Sequence, residues 1–588
     1  MTRNHHAARL AIAPFLLAAA SLHAQVDPAA QQRARESSGI QQQREQLRQQ
    51  EDERQQRLEA PDGRLQNRPD ETSTQPSTDP AEKDVPCFEI RELHIGLPEQ
   101  LSTTQRRLGA SDLFMDDFHF LRQAADLHLG TCSGRKGIAL LQQQLSNLIL
   151  SRGYSTTRLG IPEQDLSSGK LSLVLIPGVI RSVVTLPVDP GRTWKTALPS
   201  RPGDLLNLRD IEQGLEQLKR VPGQDAEIRI LPGEQPGESD IVIEIKRHKS
   251  WRFSVTADDS GSKGTGQLQA GMNAAIDNPL GLNDLFHIGF NTDANRKGRQ
   301  RGTTGNAAGY SIPFGYWTFS LAAGSYQYHQ EIAGRFQTFM SSGIGKNVEF
   351  KVQHLFHRDQ FQKSSLQFKI GKRWNRAYID NTEIEVQRRN ATYAELGWLH
   401  RHYFGTAQLD LMLANRWGVN WFNGEADAPA RPPGGPTRRY SLQTLDATLL
   451  APFPIGGLAL TYIGTLRAQS TQSGLYASEQ FSIGNRYTVR GFDGELSLSA
   501  ERGFFLRNEI DLPLGNSRQS VYAGVDVGKV YGPTVQYLLG DKLAGAAVGM
   551  RGAVFNMNYD AFLGWALYKP QHFRGSPTVA GFQLTYQF

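Results

Sequence analysis

Cysteine is almost missing from this chain: Cys87 and Cys132 are the only two among 588 residues. Neither sits in a CxxC pair or at the spacing of a Cys/His zinc site, so a structural bridge is favoured over a metal site. Long apolar runs are missing as well. Beyond the N-terminus no stretch of about 20 apolar residues occurs, which excludes a helical membrane span and means that any membrane role requires a β-barrel. Charge of one sign is lacking too, with 64 Lys and Arg interleaved with 58 Asp and Glu for a net charge of +6. That balance gives no basic face for nucleic acid. There is no GxSxG elbow, HExxH helix or P-loop, so hydrolase, metalloprotease and nucleotide-hydrolysing chemistry lack their residues, and no cofactor or metal is expected. His400-Arg401-His402 and His354-Leu355-Phe356-His357 come nearest to metal pairs. No third ligand accompanies them, and on strands they read as lumen or interface positions.

What is present is a globular composition, 39% hydrophobic and 9% aromatic, at a length that implies several domains. Residues 1–24 have the form of a cleaved secretory signal: Arg3 and Arg9, an apolar segment from Leu10 to Ala20, and Leu22-His23-Ala24 before the cleavage point. Export places Cys87 and Cys132 in an oxidising compartment and predicts a bridge between them. Residues 25–60 are rich in Gln, Arg and Glu, strong helix formers, with Ile40, Leu47 and Leu58 as isolated apolar residues. A helix with no apolar stripe joins no core; it is either free in solvent or plug-like, seated in a polar, water-filled space. Pro61 ends it, and residues 61–84, with Pro69, Pro76 and Pro80, form a linker.

From Cys87 the pattern changes. Phe88 to Ile95 alternates as a strand, Ile138, Leu141, Leu145, Leu148 and Ile149 recur at helical spacing, and Leu171 to Ile176 is a strand closed by Pro177-Gly178. The outline repeats: a helix begins near Asn207 and runs to Lys219, followed by strands over 226–230 and 239–245. Pro86-Cys87-Phe88, Arg152-Gly153-Tyr154-Ser155-Thr156-Thr157-Arg158, Ile161-Pro162-Glu163-Gln164-Asp165-Leu166 and Leu206-Asn207-Leu208-Arg209-Asp210-Ile211 closely resemble the paired POTRA domains of two-partner secretion transporters. The resemblance implies POTRA 1 over 85–178 and POTRA 2 over 179–249, both periplasmic, receiving an unfolded secreted partner protein. Pro162, Gln164, Asp165, Arg209 and Asp210 are the cargo-binding candidates, since a small mixed sheet offers an edge to an extended segment. As plain structure, Asn207 and Asp210 read as helix caps.

From Trp251 the chain is a series of period-2 segments separated by Gly, Pro, Asn and Asp. About 340 residues remain, which at about 10 per tilted strand plus connections gives about 16 strands over 250–588. Compact turns at 278–284, 313–315, 452–456 and 511–513 alternate with long connections over 291–305, 421–440 and 471–500, as a barrel requires. The last segment, Phe582-Gln583-Leu584-Thr585-Tyr586-Gln587-Phe588, turns its aromatic and apolar side chains one way and resembles the signal, ending in Phe588, read by the barrel-assembly machinery. The expected fold is thus α+β POTRA domains followed by an all-β transmembrane barrel of about 16 antiparallel strands.

One long connection does not read as surface. Gly484-Asn485-Arg486-Tyr487-Thr488-Val489-Arg490-Gly491-Phe492-Asp493-Gly494 places a guanidinium among apolar residues, with glycines for a sharp fold-back. Val489-Arg490-Gly491-Phe492 resembles the fingerprint of the wider superfamily of transporters and assembly barrels, and Gly524-Val525-Asp526-Val527-Gly528 resembles its partner motif. The resemblance implies an inward loop in which Arg490 pairs with Asp526. The expected function is an outer-membrane transporter for one large exoprotein, an adhesin, a haemolysin or a contact-dependent toxin, with outer-membrane lipid and the barrel-assembly machinery as further partners. The runner-up is a barrel-assembly insertase of the same superfamily. No enzymatic activity is expected.

Overall fold

A computed structural model of the chain describes residues 28–58, 86–107, 117–187, 193–295, 298, 300–334 and 337–588. The expected signal (1–24) and linker (61–84) lie outside the described residues.

The first small unit is a three-stranded sheet in the order Glu92–Gly96, Lys170–Ile176, Arg158–Gly160, whose central strand is parallel to the first and antiparallel to the last. Alternation sends Leu171, Leu173 and Leu175 into the core, where they meet Ile138, Leu141, Leu145 and Ile149 from the helix Arg135–Ser151. The expected strand over 88–95 is broken in two. Apolar Ile90 and Leu93 are three residues apart, so alternation cannot carry both to one face. Instead Phe88–Glu89 pairs with Cys132–Ser133, and Glu92–Gly96 joins the main sheet. A disulfide joins Cys87 to Cys132 beside that short pairing, with the Cα atoms 5.4 Å apart.

The second unit has the sheet order Val179–Leu186, Glu238–Arg247, Gln224–Pro232, covered by the helix Leu208–Lys219. Asn207 caps that helix by accepting from the Arg209 N–H. On the sheet Arg181 pairs with Asp240, its Nε 2.9 Å from Oδ1.

The barrel has 16 antiparallel strands, from Trp251–Asp258 to Thr578–Gln587, and closes by pairing the last strand with the first. Period 2 decides which way each side chain looks. Along Gln362–Ile379, Leu366 and Phe368 are exposed on the outer wall while Gln367 and Lys369 are buried inside. Tight turns at Gly315-Tyr316, Gly405-Thr406, Gly456-Gly457 and Phe555-Asn556 mark the end that faces the two small units. The expected turn over 452–456 lies further on: Pro452 and Pro454 belong to the strand Ser441–Ile455. The neighbouring strand stops pairing at Leu450, so the ladder asks no N–H of either proline on that side.

The second unit docks on those turns. Gln213 and Gln217 each donate to the Gly315 carbonyl, at 3.1 and 3.2 Å, while Glu216 holds Arg358 at 2.8 Å and Lys363 at 2.7 Å. The helix Pro28–Leu58 lies in the lumen. Near its middle Gln41 donates to Ser262 and Thr265, both at 2.9 Å. Near its C-terminal end Glu53 accepts from Lys369 at 3.0 Å and the Arg57 carbonyl accepts from Arg401. A polar lumen explains how a helix without an apolar stripe is held.

Candidate functional site

The long connection between Leu458–Thr471 and Arg502–Pro513 folds into the barrel. A short pairing of Phe481–Ile483 with Leu498–Ala500 stiffens it, and Ile483, Val489, Phe492 and Leu498 form an apolar cluster with Phe505, Val530 and Leu543 of the wall. Phe492 meets Phe573 of the last connection edge to face, with ring centroids 5.7 Å apart. This cluster pulls the loop inward, and Arg490 fixes where it stops.

Arg490 is 2% exposed and Asp526 is 0% exposed. The guanidinium grips the carboxylate twice, Nε to Oδ2 at 2.8 Å and Nη2 to Oδ1 at 2.9 Å, while the Arg490 backbone N–H donates to Oδ2 at 2.9 Å. Such a fork fixes both position and direction. A second carboxylate was not anticipated from sequence: Glu509 accepts from Nη1 at 2.5 Å and is itself held by Arg551, which also pairs with Asp511. Arg507, Glu509 and Asp511 alternate along one strand, which marks them as lumen-facing. Only the register, Glu509 opposite Gly524 and Arg507 opposite Asp526, selects Glu509 as the partner.

Glycines make the close approach possible. A β-carbon at Gly524 would lie 2.4 Å from Arg490 Nη2, and one at Gly545 would lie 1.7 Å from the Arg490 carbonyl oxygen. Gly491 has φ +97° and faces the Trp565 carbonyl, so neither its backbone nor its surroundings admit a side chain. Gly524, Asp526 and Gly528 alternate on one strand and present one face, a bare bed with a single carboxylate in it. The loop also touches the lumen helix. Arg44 Nη2 donates to the Gly494 carbonyl at 2.9 Å, Gln43 donates to the Ala477 carbonyl at 2.8 Å, and Ser499 donates to Gln43 at 3.2 Å.

The other predicted residues fall in different places. Pro162 and Asp165 are exposed on the first unit, and Asp165 is held below the usual carboxylate range by the Ser167 backbone N–H. Gln164 donates to the Ser172 carbonyl at 2.8 Å and accepts from its N–H at 2.6 Å, extending the ladder where the strand Arg158–Gly160 has ended. Arg209 is buried against Glu212 at 3.0 Å, and Asp210 accepts from Ser200 and from Tyr316 of a barrel turn. Burial raises the pKa of Asp210. Half-buried Asp210 thus reaches the barrel directly, and Arg209 reaches it through Glu212, which also accepts from Arg358. Phe588 sits at the seam, its N–H donating to the Phe253 carbonyl at 2.9 Å and its ring 5.4 Å from that of Phe253. His354 and His400 lie on the outward face of the barrel wall near its tight turns, His354 stacked on Trp317 at 4.1 Å and His400 on Trp398 at 5.2 Å. Among the described residues no cluster of three metal-ligating side chains occurs.

Residues 237–552 match the family model described as haemolysin secretion/activation protein ShlB/FhaC/HecB, more than half of the chain. The chain belongs to this ShlB/FhaC/HecB family. Residues 114–178 match the ShlB-type POTRA domain and residues 183–232 a second POTRA model. The chain is 44% identical to the outer membrane transporter CdiB-2 of Burkholderia pseudomallei over 86% of this chain and 87% of that one. It is 27% identical to the hemolysin transporter protein HpmB of Proteus mirabilis over 68% and 71%. In structure it is similar to CdiB from Acinetobacter baumannii, with TM-score 0.81 and 26% identity, covering 94% of this chain and 99% of that one. As a member of the ShlB/FhaC/HecB family the chain is an outer-membrane transporter of a two-partner secretion system, acting with a secreted exoprotein, its POTRA domains in the periplasm. The tight turns are thus periplasmic, and the inward loop is the sixth extracellular one.

Proposed function

We propose that this transporter passes an unfolded exoprotein of the kind served by transporters named CdiB, and that the Pro28–Leu58 helix closes the conduit at rest while the Arg490 loop shapes it. The observation that carries the reading is a lumen occupied twice, by an inward loop fixed through buried charge and by a polar helix held through scattered hydrogen bonds. Identity to CdiB-2 well above that to a haemolysin transporter favours the cargo class. Residues 1–24 act as the signal, 25–60 as the plug, 61–84 as its tether, 85–178 and 179–249 as the two POTRA domains and 250–588 as the barrel. Pro162, Gln164 and Asp165 belong to the cargo-facing edge of the first POTRA, and Arg209 and Asp210 set the angle of the second.

No catalytic step is part of this function; folding of the cargo outside prevents its return. Phe588 delivers the barrel to the assembly machinery, and the outer wall meets membrane lipid. The test is co-expression with the exoprotein encoded beside this chain and measurement of cargo in the medium per heat-modifiable barrel. Export of that exoprotein, and none of a haemolysin substrate, is the expected result. Equal export of both removes the assigned cargo class.

A further inference from the structure

The lipid-facing wall carries a groove that takes no part in the conduit. Outward-facing Ala274, Ala308 and Ala323 form one row: Ala274 is opposite Ile288, Ile288 opposite Ala308, Ala308 opposite Ala323, and Ala323 opposite Val348. Three methyl groups in that row, where the row nearer the tight turns carries Tyr310, Leu321 and Phe350, leave a hollow of about 730 Å³, its rim including Met272, Phe290, Val348 and Trp374. That volume lies within the range of about 300–1,000 Å³ typical of ligand clefts.

The row above it is polar. Asn306 is opposite Ser325, Ser325 opposite Lys346, and Lys346 opposite Trp374. On the same strand as Trp374, the next outward positions on either side are Lys372, whose ammonium lies 5.3 Å from the indole centroid, and Arg376. The height of this row follows from the strand Thr338–Arg358. His354, stacked on Trp317, marks the periplasmic aromatic belt. Lys346 is eight residues further on, about 27 Å along the strand and about 20 Å across the membrane at the usual tilt. The cations therefore lie at the outer-leaflet headgroup level, with the hollow below them at the depth of acyl chains.

Among the described residues Lys346, Lys372 and Arg376 form no ion pair; the hydrogen bond of Lys372 goes to the Phe422 carbonyl, and Glu383, near Arg376 in the connection beyond it, is held by Arg388 at 2.6 Å. Charge on a lipid-facing wall is costly without a counter-anion. Three cations spread over two strands around one indole fit a headgroup with more than one phosphate, which phosphatidylglycerol and phosphatidylethanolamine lack.

We propose that this face binds one phosphorylated, multiply acylated glycolipid of the outer leaflet, of the lipid A type, with its phosphates on Lys346, Lys372 and Arg376 and an acyl chain in the alanine-floored groove. The test uses the full chain purified in detergent, incubated with lipid A or with phosphatidylglycerol and examined by native mass spectrometry. Wild type is expected to retain lipid A in preference to phosphatidylglycerol. The Lys346→Ala/Arg376→Ala double variant is expected to retain about tenfold less lipid A, having lost two headgroup cations. Ala323→Leu, which fills the floor and leaves every charge in place, is expected to lower lipid A retention as well, and carries the test if the charge variant does not insert. Equal retention of the two lipids by wild type overturns the proposal. So does undiminished lipid A retention by either inserted variant.

Discussion

The same lumen holds two inserted segments, and they are held in opposite ways. The sixth extracellular loop brings its own apolar cluster and a buried arginine whose every polar contact is charged or backbone: Asp526 twice through the side chain, Asp526 again from the N–H, and Glu509. The Pro28–Leu58 helix brings no apolar stripe. It is held by amide and hydroxyl contacts such as Gln41 with Ser262 and Gln43 with Ala477, and by single ion pairs such as Glu53 with Lys369. Removing one partner of a buried pair costs about 3–5 kcal/mol because the other charge stays behind. A neutral hydrogen bond contributes about 0.5–1.5 kcal/mol and is replaced by water when the segment leaves. Under the proposed function, this difference lets the lumen keep one insert and release the other when cargo passes.

The largest expected effect breaks the fixed side of that contrast. Arg490→Ala leaves the buried Asp526 without this cation and Glu509 with Arg551 alone, and secretion is expected to fall more than about tenfold while the barrel stays heat-modifiable. Asp526→Ala removes the fork but leaves Nη1 on Glu509, so its defect is expected to be smaller. The double variant should resemble Arg490→Ala alone, since the contacts share one residue. Cargo in the medium per inserted barrel measures all three; wild-type secretion by Arg490→Ala would make the loop a bystander.

The next effect concerns the releasable side. Deleting residues 28–58 is expected to raise single-channel conductance in planar bilayers several-fold and to leave cargo export near wild type, because no wall contact of the Arg490 loop depends on the helix. Unchanged conductance would mean that the helix does not limit the resting pore.

Outside the membrane the first POTRA supplies a covalent counterpart to these non-covalent holds. The Cys87–Cys132 bridge closes a loop at a sequence separation of 45, and the chain-entropy relation gives about 4 kcal/mol for a loop of that size. Cys87→Ser/Cys132→Ser is expected to lose protection in hydrogen exchange across 92–96 and 170–176, with the second POTRA unaffected. Unreduced wild type should label no thiol.

The smallest effect is expected where the fork of the lumen recurs in the open. Arg181 grips Asp240 through Nε and a second N–H much as Arg490 grips Asp526, but its side chain is 31% exposed. The hydrogen bond from Arg181 lowers the Asp240 pKa below its unfolded value of about 3.9. Its contribution to stability is therefore present above that value and is lost as the pH falls through the folded value. Asp240→Asn should modestly raise amide exchange of 238–247 at neutral pH, with the difference from wild type vanishing in strong acid. A difference that grows on acidification would contradict the sign.

Much of the fold was legible because period 2 and period 3.6 are local. Leu171, Leu173 and Leu175 fix one face of a strand, and Ile138, Leu141, Leu145 and Ile149 fix one face of a helix. The error over 88–95 arose where alternation was read through a break that only the pairing of Phe88–Glu89 with Cys132–Ser133 makes visible. Arg490 and Asp526 are legible for a different reason: a guanidinium amid apolar residues is costly alone, and Val489-Arg490-Gly491-Phe492 and Gly524-Val525-Asp526-Val527-Gly528 resemble the paired motifs of a known superfamily. That Arg209 and Asp210 stand beside the Gly315-Tyr316 turn is not legible in the sequence, because no local pattern announces docking.

By itself the sequence determined the alternation that makes a barrel, the strand number to within its spacing and the single possible bridge, since these follow from residue type and separation along the chain, while the pairing of Arg490 with Asp526 was implied by two motifs that resemble those of a known superfamily. Tertiary structure alone decided that Glu509 and not Arg507 or Asp511 completes the arginine's shell, that the polar helix lies in the lumen, and that alanines on separate strands line up as one groove. The physical reason is register. Which side chains stand opposite each other across the ladder of a closed barrel depends on strands far apart in sequence, and period 2 says only which way each one faces.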